Sequence, residues 1–188
     1  MERVQLIFRN LSEVSAEERE TMGVLSLTDV NGERAINIIC DQVTCNQLRM
    51  RLGELEICRT LLPEVLAGML NDYVNLETLE IVIFGIKDGQ YLTTLNNTET
   101  FTERKVRLSD AVLLHIMEGI PIFIDRKLMD AQAMPFNVGT NKVQIPINTL
   151  DDENLNTLLQ QALEEENYRL ASYIKEEMNY RNKSNDKK

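Results

Sequence analysis

Apolar and polar residues alternate, or form short apolar runs, through the first forty positions of the chain. Residues 4–9 (VQLIFR) alternate and predict a strand. Met22–Asp29 and Ala35–Cys40 are apolar runs separated by Val30-Asn31-Gly32-Glu33. Because Asn-Gly tolerates the positive φ of a tight turn, these two runs predict a β-hairpin. The polar residues 12–22 predict a loop or a short helix.

The middle of the chain predicts helices first and strands afterwards. A helix is predicted from about Asp41 to Glu56, and Pro63 suits the first turn of a second helix. One face of this second helix carries Val65, Leu66, Met69 and Leu70. Lys87-Asp88-Gly89 predicts a turn. The other predicted elements are strands at residues 76–86, 90–96, 98–108 and 121–124, a helix at 125–134 and a connector at 137–148.

Residues 107–123 (RLSDAVLLHIMEGIPIF) predict a helix with clear ends. Ser109 is a good N-cap, and Asp110 suits the positive end of the helix dipole. Gly119 suits the C-terminal cap, and Pro121 prevents continuation. Residues 111–114, 116 and 117 are apolar on all sides, so we expect the helix to be buried in the fold or under a partner subunit. His115 is the only histidine, and on such a helix it is expected to be a core residue.

The composition changes after Thr149. Residues 150–181 contain no glycine or proline and predict helix throughout, with a polar end at 182–188. The apolar positions at helical spacing are Leu155, Leu158, Leu159, Ala162, Leu163, Tyr168, Ala171, Ile174 and Met178. The chain therefore predicts an α+β domain at 1–148 and a helical appendage at 149–188.

Charge and cysteine content narrow the functional classes. The net charge of −10, from 30 acidic and 20 basic residues, disfavours tight nonspecific binding of nucleic acid, which rests on basic surfaces. No apolar run approaches the roughly 20 residues that span a bilayer, and the N-terminus lacks a signal-peptide layout. Cys40, Cys45 and Cys58 are an odd, low number of cysteines and predict free thiols in a reducing cytoplasm. One histidine and these cysteines do not complete a usual zinc site.

The candidate chemistry lies at the start of the 107–123 helix, and two interpretations are open. In one, Ser109 and Asp110 only cap a core helix. In the other, Asp110 faces a cleft beside Arg107 and binds a metal ion or a phosphate. No other catalytic pattern competes, because the chain has no glycine-rich phosphate loop, nucleophile elbow or H-E-x-x-H sequence.

The segment Arg107-x-Ser109-Asp110-Ala111, followed by an apolar helix and Gly119-Ile120-Pro121-Ile122-Phe123, resembles the signature of the bifunctional nuclease domain family. The Asn-Gly hairpin, the helix after it and the strands around Lys87–Tyr91 follow in the family's order, and the resemblance covers about residues 3–135. It implies an α+β fold with a mixed sheet and packed helices. It also implies hydrolysis of DNA and RNA.

Several polar positions depart from the family pattern. Where the family has Glu-Ala at a helix start, this chain has Val43-Thr44. Where the family has Thr-His-Asp, this chain has Leu62-Pro63-Glu64. The family's acidic residue ahead of Arg-x-Ser-Asp is replaced by Lys105. Metal-assisted cleavage needs carboxylates or histidines that converge on the metal, and this chain keeps Asp110 and Glu64.

Three functions follow from this resemblance and its departures. The first is a nuclease, with Arg107, Ser109, Asp110 and Glu64 as site residues. There Asp110 binds Mg²⁺ or Mn²⁺, Glu64 is the second ligand, and Arg107 holds a phosphate. The second is a regulatory or adaptor protein that self-associates as a homo-oligomer through its apolar faces. In the third, Arg107 and Asp110 form an ion pair that only fixes the helix start.

The tail resembles a second family, the UVR motif, a small helical hairpin that serves protein–protein contact in excision-repair proteins and protease adaptors. The residues that carry the resemblance are Leu159, Ala162, Leu163, Glu166, Asn167, Tyr168, Ala171, Ser172, Ile174, Lys175, Glu176, Glu177 and Met178. The resemblance implies a protein partner through residues 155–180, with Tyr168, Ala171 and Ile174 in contact and Lys175 and Glu176 at the rim. Packing of these residues inside the hairpin is the alternative.

Overall fold

Eight strands form one mixed sheet within the residues that this computed structural model describes, 2–14, 22–136 and 146–185. The strands are β1 (Arg3–Val14), β2 (Met22–Asp29), β3 (Arg34–Cys40), β4 (Leu79–Lys87), β5 (Gln90–Asn97), β6 (Thr102–Val106), β7 (Ile122–Asp125) and β8 (Met134–Pro135). The helices are α1 (Gln42–Leu52), α2 (Leu62–Asn71), α3 (Leu108–Glu118), α4 (Arg126–Gln132), α5 (Asp152–Glu164) and α6 (Tyr168–Asn185). Short 3₁₀ helices lie at Glu56–Thr60, Leu76–Thr78 and Ile147–Thr149.

The strand order in the sheet is β6-β5-β4-β7-β1-β2-β3-β8. β7 makes the sheet mixed, because it pairs parallel with β4 and antiparallel with β1. The chain thus inserts its seventh strand between the fourth and the first. The predicted α+β class with a mixed sheet is confirmed.

The predicted hairpin is also confirmed. β2 and β3 pair antiparallel, with Thr28 opposite Ala35, and Gly32 has a φ of 71° in the turn. The Gly32 N–H donates to the Asp29 carbonyl over 3.0 Å, which closes the turn. β3 is buried almost along its whole length, as expected for a strand that is covered on both faces.

Contacts divide the chain into two compact units. The first holds the described residues of 1–85 and 91–144, and the second holds those of 86–90 and 145–188. The core of the first unit is made of central-strand side chains with α1 and α3 packed on β2 and β3. Its largest fully buried side chains are Leu6, Leu25, Leu27, Ile36, Leu48, Ile81, Ile83, Ile122, Ile124 and Met129. The predicted domain limits, 1–148 and 149–188, stay a prediction.

The second unit is built around the helix pair α5 and α6. Asp151 caps α5 by accepting from the Asn154 N–H over 2.8 Å. Leu155 of α5 and Ile174 of α6 are fully buried, and the two helices contact each other. The almost buried Arg181 donates to the Asp152 carboxylate over 3.0 Å, which joins the end of α6 to the start of α5. The chain turns between the helices at Glu166, whose φ is 56°.

Element ends differ from the predictions at the first strand and at the first helix. β1 continues to Val14, so the predicted loop at 12–22 begins as strand, and its residues 15–21 lie outside the described part. α1 ends at Leu52 rather than Glu56, because the chain leaves the helix at Gly53 and turns through Glu54, whose φ is 51°. Of the predicted connector, residues 137–145 lie outside the described part as well. Among the described helices, none has the length and hydropathy of a membrane-crossing segment.

Candidate functional site

The start of α3 is set by Arg107 rather than by Ser109. The Ala111 N–H donates to the Arg107 carbonyl over 2.9 Å, so Arg107 holds the N-cap position, with extended backbone at φ −67° and ψ 141°. No side chain in the described residues caps this helix. The predicted Ser109 N-cap is therefore wrong, because the buried Leu108 already belongs to the first turn. The C-terminal prediction is confirmed, since Gly119 ends the helix with a φ of 70°.

Arg107 binds two carboxylates that come from different helices. Its Nε and Nη2 donate to Asp110 Oδ2 and Oδ1 over 2.8 and 3.0 Å, a bidentate ion pair. Its Nη1 donates to Asp41 Oδ2 over 3.3 Å. Asp41 is the N-cap of α1 and accepts from the Thr44 N–H over 2.7 Å. We call Asp41, Arg107 and Asp110 the Arg107 cluster.

The Arg107 cluster is open to solvent and electrostatically coupled. The side chains of Arg107, Asp110 and Asp41 are 65%, 41% and 49% exposed. The Thr44 N–H and the Arg107 guanidinium hold the pKa of Asp41 below its usual value. Hydrogen bonding to Asp110, together with both negative charges, raises the pKa of Arg107. Two carboxylates and one guanidinium give the cluster a formal charge of −1 at an accessible surface.

Glu64 lies elsewhere in the first unit. Its carboxylate binds the buried Arg51 with contacts of 2.7 and 2.8 Å. Arg51 is in the last turn of α1, and Asp41 precedes the first turn. These two positions are ten residues apart, roughly 15 Å along a helix axis. The structure therefore brings Asp41, and not Glu64, to Arg107 and Asp110.

Asp41 is the site residue that the sequence interpretation missed. The local signal was present, because an aspartate directly after an apolar strand is a common helix N-cap. Its approach to Arg107 joins residues 66 positions apart, and no spacing rule on a single element covers such a contact. Ser109, in contrast, lies in the first turn of α3, and its predicted role at the site stays a prediction.

The cysteines and the histidine have structural contacts. Cys40, Cys45 and Cys58 are free and buried, and the sulfur atoms of Cys40 and Cys45 lie 2.8 Å apart. Burial raises the pKa of Cys40, which keeps it a thiol. His115 Nδ1 lies 2.9 Å from the Ile120 carbonyl and is half-buried. In the described part of the chain, no group of three or more histidine, cysteine or acidic side chains could hold a metal ion.

The predicted partner-binding residues of the tail divide into two groups. Ala171 and Ile174 are buried in the second unit, as expected from the alternative in which these residues pack inside the hairpin. Tyr168, Lys175 and Glu176 are exposed. Exposed tyrosines that the sequence interpretation did not select, Tyr173 and Tyr180, also lie on α6.

Comparison with known families gives one match over the first unit. The sequence profile described as the Bifunctional nuclease domain matches residues 25–137. This range contains all three residues of the Arg107 cluster and ends before the helix pair. No curated protein matches the chain.

Proposed function

This chain belongs to the bifunctional nuclease domain family, and we propose that it hydrolyses phosphodiester bonds of DNA or RNA at the Arg107 cluster with a divalent metal ion. The observation that carries the proposal is the convergence of Asp41 and Asp110 on the guanidinium of Arg107 at an exposed surface. Asp41 takes the place that the sequence interpretation gave to Glu64.

The donor set fits Mg²⁺ or Mn²⁺. Asp41 and Asp110 offer carboxylate oxygens, the ligands that both ions prefer. Mg²⁺ is often bound by one or two carboxylates, with substrate phosphates and water as the remaining ligands. When bound, such an ion polarises the phosphoryl oxygen and acidifies a coordinated water. The two helix starts supply positive dipole ends nearby, which favour an anionic substrate.

Arg107 has the role of the phosphate-binding group. Its side chain is 65% exposed, and exposed ion pairs are held by only about 0–1 kcal/mol. The guanidinium can therefore exchange a carboxylate for a phosphate, which it also binds with two parallel hydrogen bonds. This exchange frees oxygens of Asp110 and Asp41 at the moment when the substrate arrives. Substrate binding and the release of the two carboxylates from Arg107 then occur together.

The net charge shapes the substrate preference. At −10 the chain repels long polyanions, and the Arg107 cluster is itself negative. We infer a weak, local contact with one or a few phosphates rather than a long nucleic acid track.

We expect Asp110→Asn and Asp41→Asn each to lower metal-dependent cleavage on the order of 100-fold, the usual cost of removing one group that acts on the reacting charge. The assay offers single- and double-stranded DNA and RNA with Mg²⁺ or Mn²⁺, and EDTA as the blank. Asp130→Asn is the matched control, because Asp130 is also exposed and pairs with an arginine, Arg34, over 2.8 Å. Circular dichroism checks that every variant is folded.

Two results contradict the proposal. One is a wild-type chain that cleaves none of the four substrates above the EDTA blank. The other is cleavage that Asp110→Asn and Asp130→Asn retain equally, because the activity would then arise outside the Arg107 cluster. Glu64→Gln serves as a further comparison, and retention of activity in this variant is expected from its pairing with Arg51.

A second function, adaptor or regulatory action through protein–protein contact, is favoured by the outer face of α6. Tyr173 is half-exposed, and the Arg169 guanidinium lies 5.9 Å from its ring centre. Tyr168 is 67% exposed at the start of the same helix. Tyrosine and arginine are enriched in protein interfaces. The helix pair resembles a UVR motif, and in this function the Arg107 cluster only fixes the starts of α1 and α3.

The adaptor function predicts a partner that depends on the tyrosines of α6. We expect a protein that co-purifies in stoichiometric amount with the wild-type chain to be lost from Tyr168→Ser/Tyr173→Ser and kept by Asp110→Asn. Quantitative mass spectrometry of the affinity-purified chains makes the comparison. A partner lost equally from both variants, or no stoichiometric partner, would argue against this function.

A further inference from the structure

The outward face of α2 is apolar and has no cover in the described structure. Its large side chains recur at helical spacing, with Tyr73 directly after the helix. They are Leu62, Val65, Leu66, Met69, Leu70 and Tyr73, exposed by 67, 44, 48, 58, 54 and 87%. This spacing places them along one stripe of the helix. We call this stripe the α2 face.

The orientation of α2 is fixed by its opposite side. Ala67 is buried there, and Glu64 binds the buried Arg51 of α1 through two contacts. Rotation of the helix to hide the α2 face would expose Ala67 and break this ion pair. The outward direction of the apolar stripe is therefore a property of the folded first unit. An amphipathic helix normally directs such a stripe to the core.

The size of the apolar surface matches that of a stable interface. Leu52, Leu55 and Ile57, just before the helix, are also 46–55% exposed. With the α2 face they amount to roughly the 800 Å² that each partner buries in a standard protein–protein interface. Exposed apolar patches of this extent are unusual on monomers and mark sites of association.

We propose that the α2 face pairs with the α2 face of a second copy of this chain, in an antiparallel two-fold contact. The six side chains of the α2 face carry no charge, so the two stripes meet without a like-charge pair despite the net charge of −10, while the exposed Glu54 and Glu56 lie in the flanking stretch with Leu52, Leu55 and Ile57. A two-fold axis places each helix start beside the end of the other helix. The exposed Arg59 precedes α2 and the exposed Asp72 follows it, so opposite charges of the two copies meet at both ends.

The helix termini support the antiparallel arrangement. No side-chain hydrogen bond caps the start of α2, and its last turn carries no basic residue. In the antiparallel pair, Asp72 of each copy faces the positive dipole end of the other α2. Arg59 of each copy faces the negative end. In a two-fold pair, symmetry places an arginine and an aspartate of the other copy at the two ends of each α2. A partner of different sequence has no such symmetry.

The test compares the mass in solution of wild type and Leu66→Glu/Met69→Glu by light scattering, from micromolar to hundreds of micromolar concentration. We expect a dimer for wild type and association weakened by more than about 100-fold for the variant, as for the loss of central interface anchors. Val30→Glu is the matched control, because Val30 is 55% exposed in the β2–β3 turn. This control is expected to stay dimeric.

Charge exchange tests the two-fold geometry. Arg59→Glu and Asp72→Arg are each expected to weaken the dimer by about 2- to 5-fold, the usual scale of an exposed ion pair. The double variant Arg59→Glu/Asp72→Arg restores the opposite charges across the axis and is expected to regain affinity. A monomeric wild type at all concentrations, a dimer that survives Leu66→Glu/Met69→Glu, or a double variant weaker than both singles would each overturn the proposal. None of these outcomes depends on nuclease activity.

Discussion

Gly23→Ala is expected to lower the free energy of unfolding by about 2–3 kcal/mol, the scale of overpacking in a tightly filled core. A Cβ at this β2 position would overlap Cys45 Sγ and lie 2.8 Å from Cys40 Sγ and 3.1 Å from Leu11 Cδ1. Cys40 ends β3 and Cys45 is in the first turn of α1, so both sulfurs are fixed by buried backbone. Urea unfolding followed by circular dichroism measures the change.

Two variants separate overlap from the general cost of changing a strand glycine. Gly85→Ala in β4 is the matched control, because its Cβ would meet nothing closer than Leu92 Cδ1 at 3.4 Å. Cys45→Ala removes the sulfur that overlaps most. The pair Gly23→Ala/Cys45→Ala should therefore be more stable than the sum of the two single changes predicts. Strict additivity would show that the Cys45 sulfur is not what excludes a side chain at position 23.

The same substitution is expected to disturb the Arg107 cluster. Cys45 follows Asp41 by one helical turn, and its N–H donates to the Asp41 carbonyl over 2.9 Å. A side chain at position 23 that displaces Cys45 would also displace Asp41 from Arg107. We therefore expect Gly23→Ala to lengthen the contact between Asp41 and Arg107 as well as to destabilise the fold.

Local patterns predicted the elements whose signals lie within a few residues. The Asn31-Gly32 turn, the Pro63 start of α2 and the Gly119 end of α3 are confirmed, because each depends on backbone preferences of one or two residues. The error at Ser109 has the same origin. Leu108 is apolar and buried in the first turn, so the N-cap lies at Arg107, two residues ahead of Ser109, which has the better capping side chain.

Contacts between distant residues could not be predicted from these patterns. Asp41 meets Arg107 only because α1 and α3 pack side by side, and a single-element pattern does not report which helices pack together. The position of β7 between β4 and β1 is a similar long-range result. The helical spacing of apolar residues correctly predicted an apolar stripe on α2. It did not predict whether this stripe faces the core or the outside. The buried Arg51–Glu64 pair decides that the stripe faces outward.

We expect Gly89→Ala to destabilise the second unit by about 3–4 kcal/mol, more than Gly23→Ala, because strain and overlap act together. Asp88 and Gly89 have φ angles of 49° and 81° in the turn between β4 and β5. Two consecutive positive φ angles are typical of a type I′ hairpin turn. An L side chain at the second of these positions is strained. A Cβ at Gly89 would also overlap the Leu150 carbonyl oxygen and lie 2.8 Å from its carbon.

The Leu150 backbone has little freedom to move away. Asp151 follows it directly and caps α5, so a shift at Leu150 would disturb the hydrogen bond from the Asn154 N–H. The overlap involves backbone atoms and not the end of a flexible side chain. We therefore expect protection of the α5 amides from hydrogen exchange to fall in Gly89→Ala, along with the midpoint of urea unfolding.

Gly68→Ala is the matched control for this prediction. A Cβ at Gly68 meets nothing within 4 Å, and the residue lies in the middle of α2. Alanine there is expected to stabilise the first unit by about 0.5–1 kcal/mol, because it reduces the freedom of the unfolded chain. The two substitutions are chemically identical and have opposite expected signs. Equal effects at positions 68 and 89 would mean that the left-handed turn and its approach to Leu150 do not hold the second unit together.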